Sequence, residues 1–279
     1  MKKVFFILSF ILLSVSTMAN SLGIQPPTKE RIVSLNGAIT EIICALGKQN
    51  EIVGVDVTST FPSDLKAQDL GHVRSISLES LLSLKPTMVL ATEKDVNPEF
   101  IGRLKASGIK VTILKQEYSI QGTQKMIKEV ASVLQVQKSQ PLIQKMENDL
   151  KSVKPSKNQP KILFIYARGA GTLMVAGQKT PVEAMMQLAG GKNAVQGFED
   201  YKPLTPEALI TANPDVILFF DKGLQSLGGV EGALKIEGIK QTNAGKNRKI
   251  ISMDGALLSG FGPRVGEAVV QLNQLIHAK

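Results

Sequence analysis

One stretch of this chain occurs twice. Ser77-Leu78-Glu79-Ser80-Leu81 runs on to Pro86 and the apolar Met88-Val89-Leu90; 128 positions later and without a gap, Thr205-Pro206-Glu207-Ala208-Leu209 runs on to Pro214 and Val216-Ile217-Leu218. Each copy reads as a hydroxyl cap, an acid in the first helical turn, an inward leucine, a proline stop and then a strand. One such unit cannot bury its own apolar face, so a matched pair predicts two lobes built to a common plan.

Strand-like and helix-like stretches alternate around both copies. Strands are predicted at 31–35, 51–55, 87–91 and 110–114, and helices at 38–46, 77–84, 98–107 and 121–134. Beyond a polar, proline-bounded segment at 154–160 come strand 161–166, apolar 173–176, helices 181–188 and 206–211, strands 215–219 and 249–252, and a last helix 263–277. Such alternation predicts an α/β fold with largely parallel sheets. A lone helical pattern at 139–153, striped by Leu142, Ile143, Met146 and Leu150, reads as a rigid connector. The expected organisation is therefore an N-terminal lobe at 27–136, a connecting helix at 137–157 and a C-terminal lobe at 158–279.

The first residues give the compartment. Lys2 and Lys3 precede an apolar run from Val4 to Val15, and Thr17 and Ala19 supply small residues for a cut after Ala19. This pattern predicts a signal peptide at 1–19 and export to a periplasm; the run is short for a membrane span. No cysteine lies near the predicted cut, which argues against a lipid anchor. The formal charge is +9, yet no dense basic block interleaved with aromatics appears, so nucleic acid is not an expected partner.

With one Cys and two His, the chain holds neither a Cys₂His₂ or Cys₄ zinc site, nor a three-His catalytic zinc, nor an internal disulfide. No Ser-His-Asp or Cys-His set stands out. Cys44 reads as a small packing residue, and His277, in the last helical turn, complements the helix dipole.

The segments entering the repeated helices carry the remaining chemistry. Under the repeat, Gly71-His72-Val73-Arg74 aligns with Glu199-Asp200-Tyr201-Lys202, so Arg74 and Lys202 coincide. Loops of this kind line ligand crevices in open α/β sheets. His72 offers an imidazole suited to iron or another borderline metal, or else is an ordinary loop histidine. Arg168, in the turn Ala167–Gly171, reads as a cation on a cleft-edge loop. Glu79 and Glu207 either pair with their helix dipoles or form a matched acidic pair for a basic partner.

The chain resembles a known family over about Arg31 to Leu275. Arg31–Leu35, Thr40-Glu41-Ile42, Ala45-Leu46-Gly47, Val53–Asp56 and Thr58-Ser59-Thr60 resemble the helix-linked class of periplasmic substrate-binding proteins. Gly197-Phe198-Glu199, Tyr201–Leu204, Leu227–Val230, Met253-Asp254-Gly255 and Gly260–Arg264 are similar to the members that serve haem importers. The resemblance implies two Rossmann-like lobes joined by a single long helix, with haem in the cleft as transported ligand. It further implies a monomer with no catalytic cofactor and no reaction, whose partners are a membrane permease and an ATPase.

In that family an N-lobe tyrosine, followed by a basic residue two places on, usually binds the iron. The matching position here is His72, followed by Arg74. A neutral imidazole replaces a hard phenolate, which changes redox preference and weakens binding as the ring takes up a proton. Some relatives carry a C-lobe histidine where this chain has Arg168, which implies that Arg168 meets a propionate or supports an axial group. The resemblance assigns Arg74, Arg168 and Lys202 to propionates and Tyr201 to the ring or a second donor. It assigns Glu79 and Glu207 to arginines of the permease. The alternatives are a corrinoid or ferric-siderophore carrier, and a periplasmic haem-dependent enzyme whose acid–base set would have to be Tyr201 and Tyr118.

Overall fold

The computed structural model describes residues 29–154 and 158–278, so the expected leader at 1–19 lies outside the described residues. In the N-terminal half, strands β1 (Ile32–Ser34), β2 (Ile52–Val55), β3 (Gln68–Asp69), β4 (Met88–Thr92) and β5 (Lys110–Leu114) form one sheet in the order β3-β2-β1-β4-β5. Every pairing in it is parallel. Helices cover both faces of a parallel sheet, so its central strands are buried on both sides; β1 and β4 are buried at every position, with Ser34 and Thr92 as their polar ends.

The C-terminal half holds β6 (Lys161–Ala167), β7 (Leu173–Ala176), β8 (Lys192–Asn193), β9 (Tyr201–Pro203), β10 (Val216–Phe220) and β11 (Ile250–Met253). Their order is β11-β10-β6-β7-β9, with β8 also on β6. This sheet is mixed, because β7 runs antiparallel to both β6 and β9. Two α/β layers, one parallel and one mixed, give the expected two-lobe class.

The repeat survives in three dimensions. Ser77 caps the helix Leu78–Ser83 through the amide of Ser80, and Thr205 caps Pro206–Ala212 through that of Ala208. Strands β4 and β10 begin and end at equivalent positions. Leu81 and Leu209, also equivalent, are each 0% exposed.

The helix Gln140–Leu150 is shorter than the pattern at 139–153 suggested, ending as Lys151 caps it. Pro141 falls in its first turn, where a missing N–H costs nothing. Its Ile143 packs into the N-lobe core with Ile39, Ile42 and Met126, while Met146 packs into the C-lobe core with Phe164 and Leu272. One helix thus feeds both cores. The terminal helix Val265–His277 lies so close to it that a Cβ on Gly266 would sit 2.6 Å from the carbonyl oxygen of Met146.

The segment Gly260–Arg264 stitches the two lobes. Gln116 donates to the carbonyl of Gly260 at 3.0 Å, and Thr123 donates to that of Phe261 at 3.0 Å. Phe261 adopts a left-handed backbone (φ +52) and is fixed there by burial and by its ring against Tyr118, centroids 5.5 Å apart. Arg264 closes a fork on Glu41 of the helix Gly37–Ala45, with Nε to Oε2 at 2.8 Å and Nη2 to Oε1 at 2.6 Å. Burial pushes the Glu41 carboxyl above its usual range against the pull of Arg264. A paired, bidentate carboxylate is the form in which a buried charge is tolerated.

Candidate functional site

Two connected cavities lie between the lobes. The larger, about 390 Å³, is lined by Thr58 and Thr60 from the N-lobe and by Tyr166, Arg168, Asp221 and Asp254 from the C-lobe. The smaller, about 160 Å³, is lined by Asn36, Glu41, Asp95, Gln116 and Tyr118 and by Gly260. Thr58, Ala256 and Ser259 border both. A groove of about 470 Å³ on the N-lobe, lined by Val73, Arg74, Ile76, Lys94 and Phe100, continues from the smaller cavity through their shared Asp95.

The N-lobe wall is a loop held from beneath. Asp56, 2% exposed, accepts from the amide and hydroxyl of Thr58 at 3.2 and 2.7 Å and from the Ser59 hydroxyl at 2.9 Å. Burial pushes the Asp56 carboxyl up, despite these three donors. Thr40 joins Ser59 to Ser34, tying the loop to the end of β1.

His72 stands beside this loop. Gly71 turns the chain with φ +82, which only glycine adopts without strain, and its carbonyl accepts from the Val57 amide at 2.9 Å. The exposed His72 then caps a short turn, Val73–Ser75, by accepting the Arg74 amide on Nδ1 at 3.2 Å. A neutral ring that accepts on Nδ1 carries its proton on Nε2. Coordination through Nε2 needs the other tautomer, so the cap bond and an iron bond exclude one another in the neutral ring.

On the C-lobe wall, Tyr166 is the penultimate residue of β6, half-buried, with its ring edge-on to Phe220 at 6.2 Å. Arg168 begins the following turn, exposed; its amide donates to Thr172 and the next amide, Gly169, donates to the Ser226 hydroxyl at 2.9 Å. Tyr201 lies behind them, packed against the C-lobe core. Its phenol is pushed up to about 12, first by burial and then by Tyr118, Asp200 and Tyr166. The chain's three tyrosines, Tyr118, Tyr166 and Tyr201, all pack against the C-lobe core. The Lys94 ammonium lies 4.3 Å above the Tyr118 ring.

Arg74 and Lys202, equivalent in sequence, are not equivalent in space. Arg74 lines the N-lobe groove, whereas Lys202 sits on edge strand β9 with its ammonium 4.7 Å over Phe198. None of His72, Arg74, Tyr201 and Lys202 lines the two cleft cavities; Thr58 and Thr60, on the loop beside His72, do. Glu79 and Glu207 are both exposed at the second position of their helices.

The sequence reading passed over Tyr166, Lys94, Asp56 and the Glu41–Arg264 pair. For Tyr166 a signal existed: Tyr166-Ala167-Arg168 repeats the tyrosine-then-cation spacing that the resemblance places in the N-lobe.

Two lobes, a bridging helix and a cleft between them, with Tyr166 and Arg168 on its wall, are the frame of a binding protein. The chain belongs to the periplasmic binding protein family, whose model matches residues 32–257. It is similar to the periplasmic haem-binding protein RhuT from Roseiflexus sp. RS-1 at 40% identity and a TM-score of 0.85, over 90% of this chain and 98% of that chain. The haem-binding protein HmuT matches at 26% identity and a TM-score of 0.80, over 90% of this chain and 86% of that chain. Its solved variants include alanine replacements of a histidine, of a tyrosine and of the arginine two positions past that tyrosine. The vitamin B12-binding protein of Vibrio vulnificus (strain CMCP6) is 24% identical over 261 residues, covering 90% of this chain and 92% of that protein. Among the described residues, no helix is long and apolar enough to cross a membrane.

Proposed function

We propose that this protein captures haem in the interlobe cleft and delivers it to an ABC importer made of a membrane permease and an ATPase. The observation that carries the reading is the pairing across the cleft: Tyr166 and Arg168 on one wall face the loop that abuts His72 on the other. His72 and Tyr166 are the iron-binding candidates, a neutral imidazole and a phenol that binds as phenolate. HmuT's solved variants touch the same three residue types with the same tyrosine-to-arginine spacing, which supports this set. Arg168 and Arg74 serve propionates, for which a guanidinium fork is suited. Lys202, held over Phe198, and Tyr201, packed against the C-lobe core, take supporting places.

The protein works as a monomer, catalyses no reaction and docks on the permease through Glu79 and Glu207, one per lobe. Its lobes span 27–136 and 158–279 around a connector at 137–157, and a leader ending at Ala19 directs it to the periplasm. Competitive titration of the purified protein with haemin, cobalamin and a ferric siderophore tests this. Preferential haemin binding with a shifted Soret band is the expected result, and preference for either other ligand contradicts it. The similarity to vitamin B12-binding proteins favours a corrinoid as the second reading.

A further inference from the structure

Of the cations assigned to carboxylates above, Arg168 alone lines a cleft cavity. One further cation shares that wall: Lys222, exposed in the first turn of the helix Asp221–Ser226. The sheet sets the two side by side. Strands β6 and β10 pair in parallel with Phe219 opposite Ile165, so Lys222 and Arg168 each stand three residues past a paired position. Both therefore leave the carboxyl ends of neighbouring strands, where open α/β sheets bind their ligands. The packing holds them there. A Cβ on Gly223 would sit 3.3 Å from the Ala167 carbonyl oxygen, and the Gly169 amide donates to the Ser226 hydroxyl at 2.9 Å. The residues flanking Arg168 are thus fixed to the helix that carries Lys222. Among the described residues neither cation enters an ion pair. The two acids on the same wall have donors of their own: Asp221 accepts from the Ser252 hydroxyl at 2.6 Å, and Asp254 accepts from the Leu257 amide at 2.9 Å. Two unpaired cations anchored together in a cleft make a place for an anion.

We propose that Lys222 and Arg168 form a C-lobe clamp for one carboxylate of the bound macrocycle, and that Lys222 makes the cleft select a carboxylate-bearing tetrapyrrole. The inference rests on the haem reading and names a contact which that reading leaves out. A guanidinium fork meets a carboxylate in its plane, and an ammonium adds a point charge beside it. Arg74, on the N-lobe, is left for the second propionate. Lys202, the counterpart of Arg74 in the repeat, is engaged over Phe198 and lines neither cavity, so Lys222 takes the place that sequence alignment gives to Lys202. The ring arms of a corrin end in neutral amides and offer such a clamp no charge to hold.

The test titrates the purified wild type, K222A and K222R with haemin and with haemin dimethyl ester, whose carboxylates are masked, following the Soret band. K222A is expected to lose about fivefold in haemin affinity, the scale of one exposed charge pair. Its complex keeps the wild-type Soret position, because the iron ligands are untouched. K222R, which keeps the charge, keeps most of the affinity. The dimethyl ester binds the wild type more weakly than haemin does, and binds K222A as well as it binds the wild type. K222A binding haemin as tightly as the wild type overturns the clamp and leaves the haem reading standing. Equal losses for haemin and its ester overturn it too, since the lysine then acts on something other than a carboxylate. A wild type that does not bind haemin overturns the haem reading and the clamp together.

Discussion

The two copies of the repeat, Ser77–Thr92 and Thr205–Phe220, agree in cap, first-turn acid, buried leucine and strand span. The segments just before them do not agree. Val73–Ser75 is a tight turn capped by His72, and the equivalent Tyr201–Pro203 is an edge strand hydrogen-bonded to β7. The scaffold repeats because both lobes solve the same burial problem. The entering segments are free of that demand, and there the side chains differ: an exposed imidazole and arginine in one lobe, a half-buried phenol and a lysine over Phe198 in the other.

The largest effect tests the shared scaffold. Leu81→Ala and Leu209→Ala each remove a fully buried side chain at equivalent places, so each is expected to cost about 2–5 kcal/mol in denaturant unfolding. A silent variant in one lobe alone would break the equivalence. The next tests the divergence. Arg74→Ala is expected to weaken haemin binding about tenfold, as loss of one charged hydrogen-bonding partner does. Lys202→Ala is expected to change it little, because its ammonium is engaged with Phe198. Equal losses in the two titrations would restore the symmetry that the sequence suggested.

The smallest effect concerns the N-lobe loop that Asp56 ties down. The folded-state pKa of Asp56 is raised, chiefly by burial. The folded protein therefore takes up this proton before the unfolded chain does, and stability from this group rises as pH falls through the raised value. Below the ordinary carboxylate range the gain levels off. Asp56→Asn does not titrate, so the wild-type thermal midpoint minus that of the variant should rise on acidification. A fall in that difference would contradict the direction.

Much of the scaffold was legible because it is local. Caps, proline stops and apolar periodicity lie within a few residues of the elements they define. The pairing of Tyr201–Pro203 with β7 was hidden, since nothing nearby marks an antiparallel partner. Arg264 and Glu41 were visible as motif residues, but their ion pair joins positions 223 apart, and no local pattern reports it. The apolar pattern ends a strand at Tyr166, one residue short of the end of β6. Its exposure to the cleft depends on where β6 stops relative to the facing lobe.

The central proposal is that iron is held between the lobes by His72 and Tyr166. The most direct measurement is a haemin titration of wild type, His72→Ala and Tyr166→Phe, read by Soret absorbance and resonance Raman. The account predicts that each variant changes the iron-coordination signature and weakens binding, while its thermal midpoint without haemin stays at the wild-type value. Wild-type spectra and affinity in both variants would contradict it.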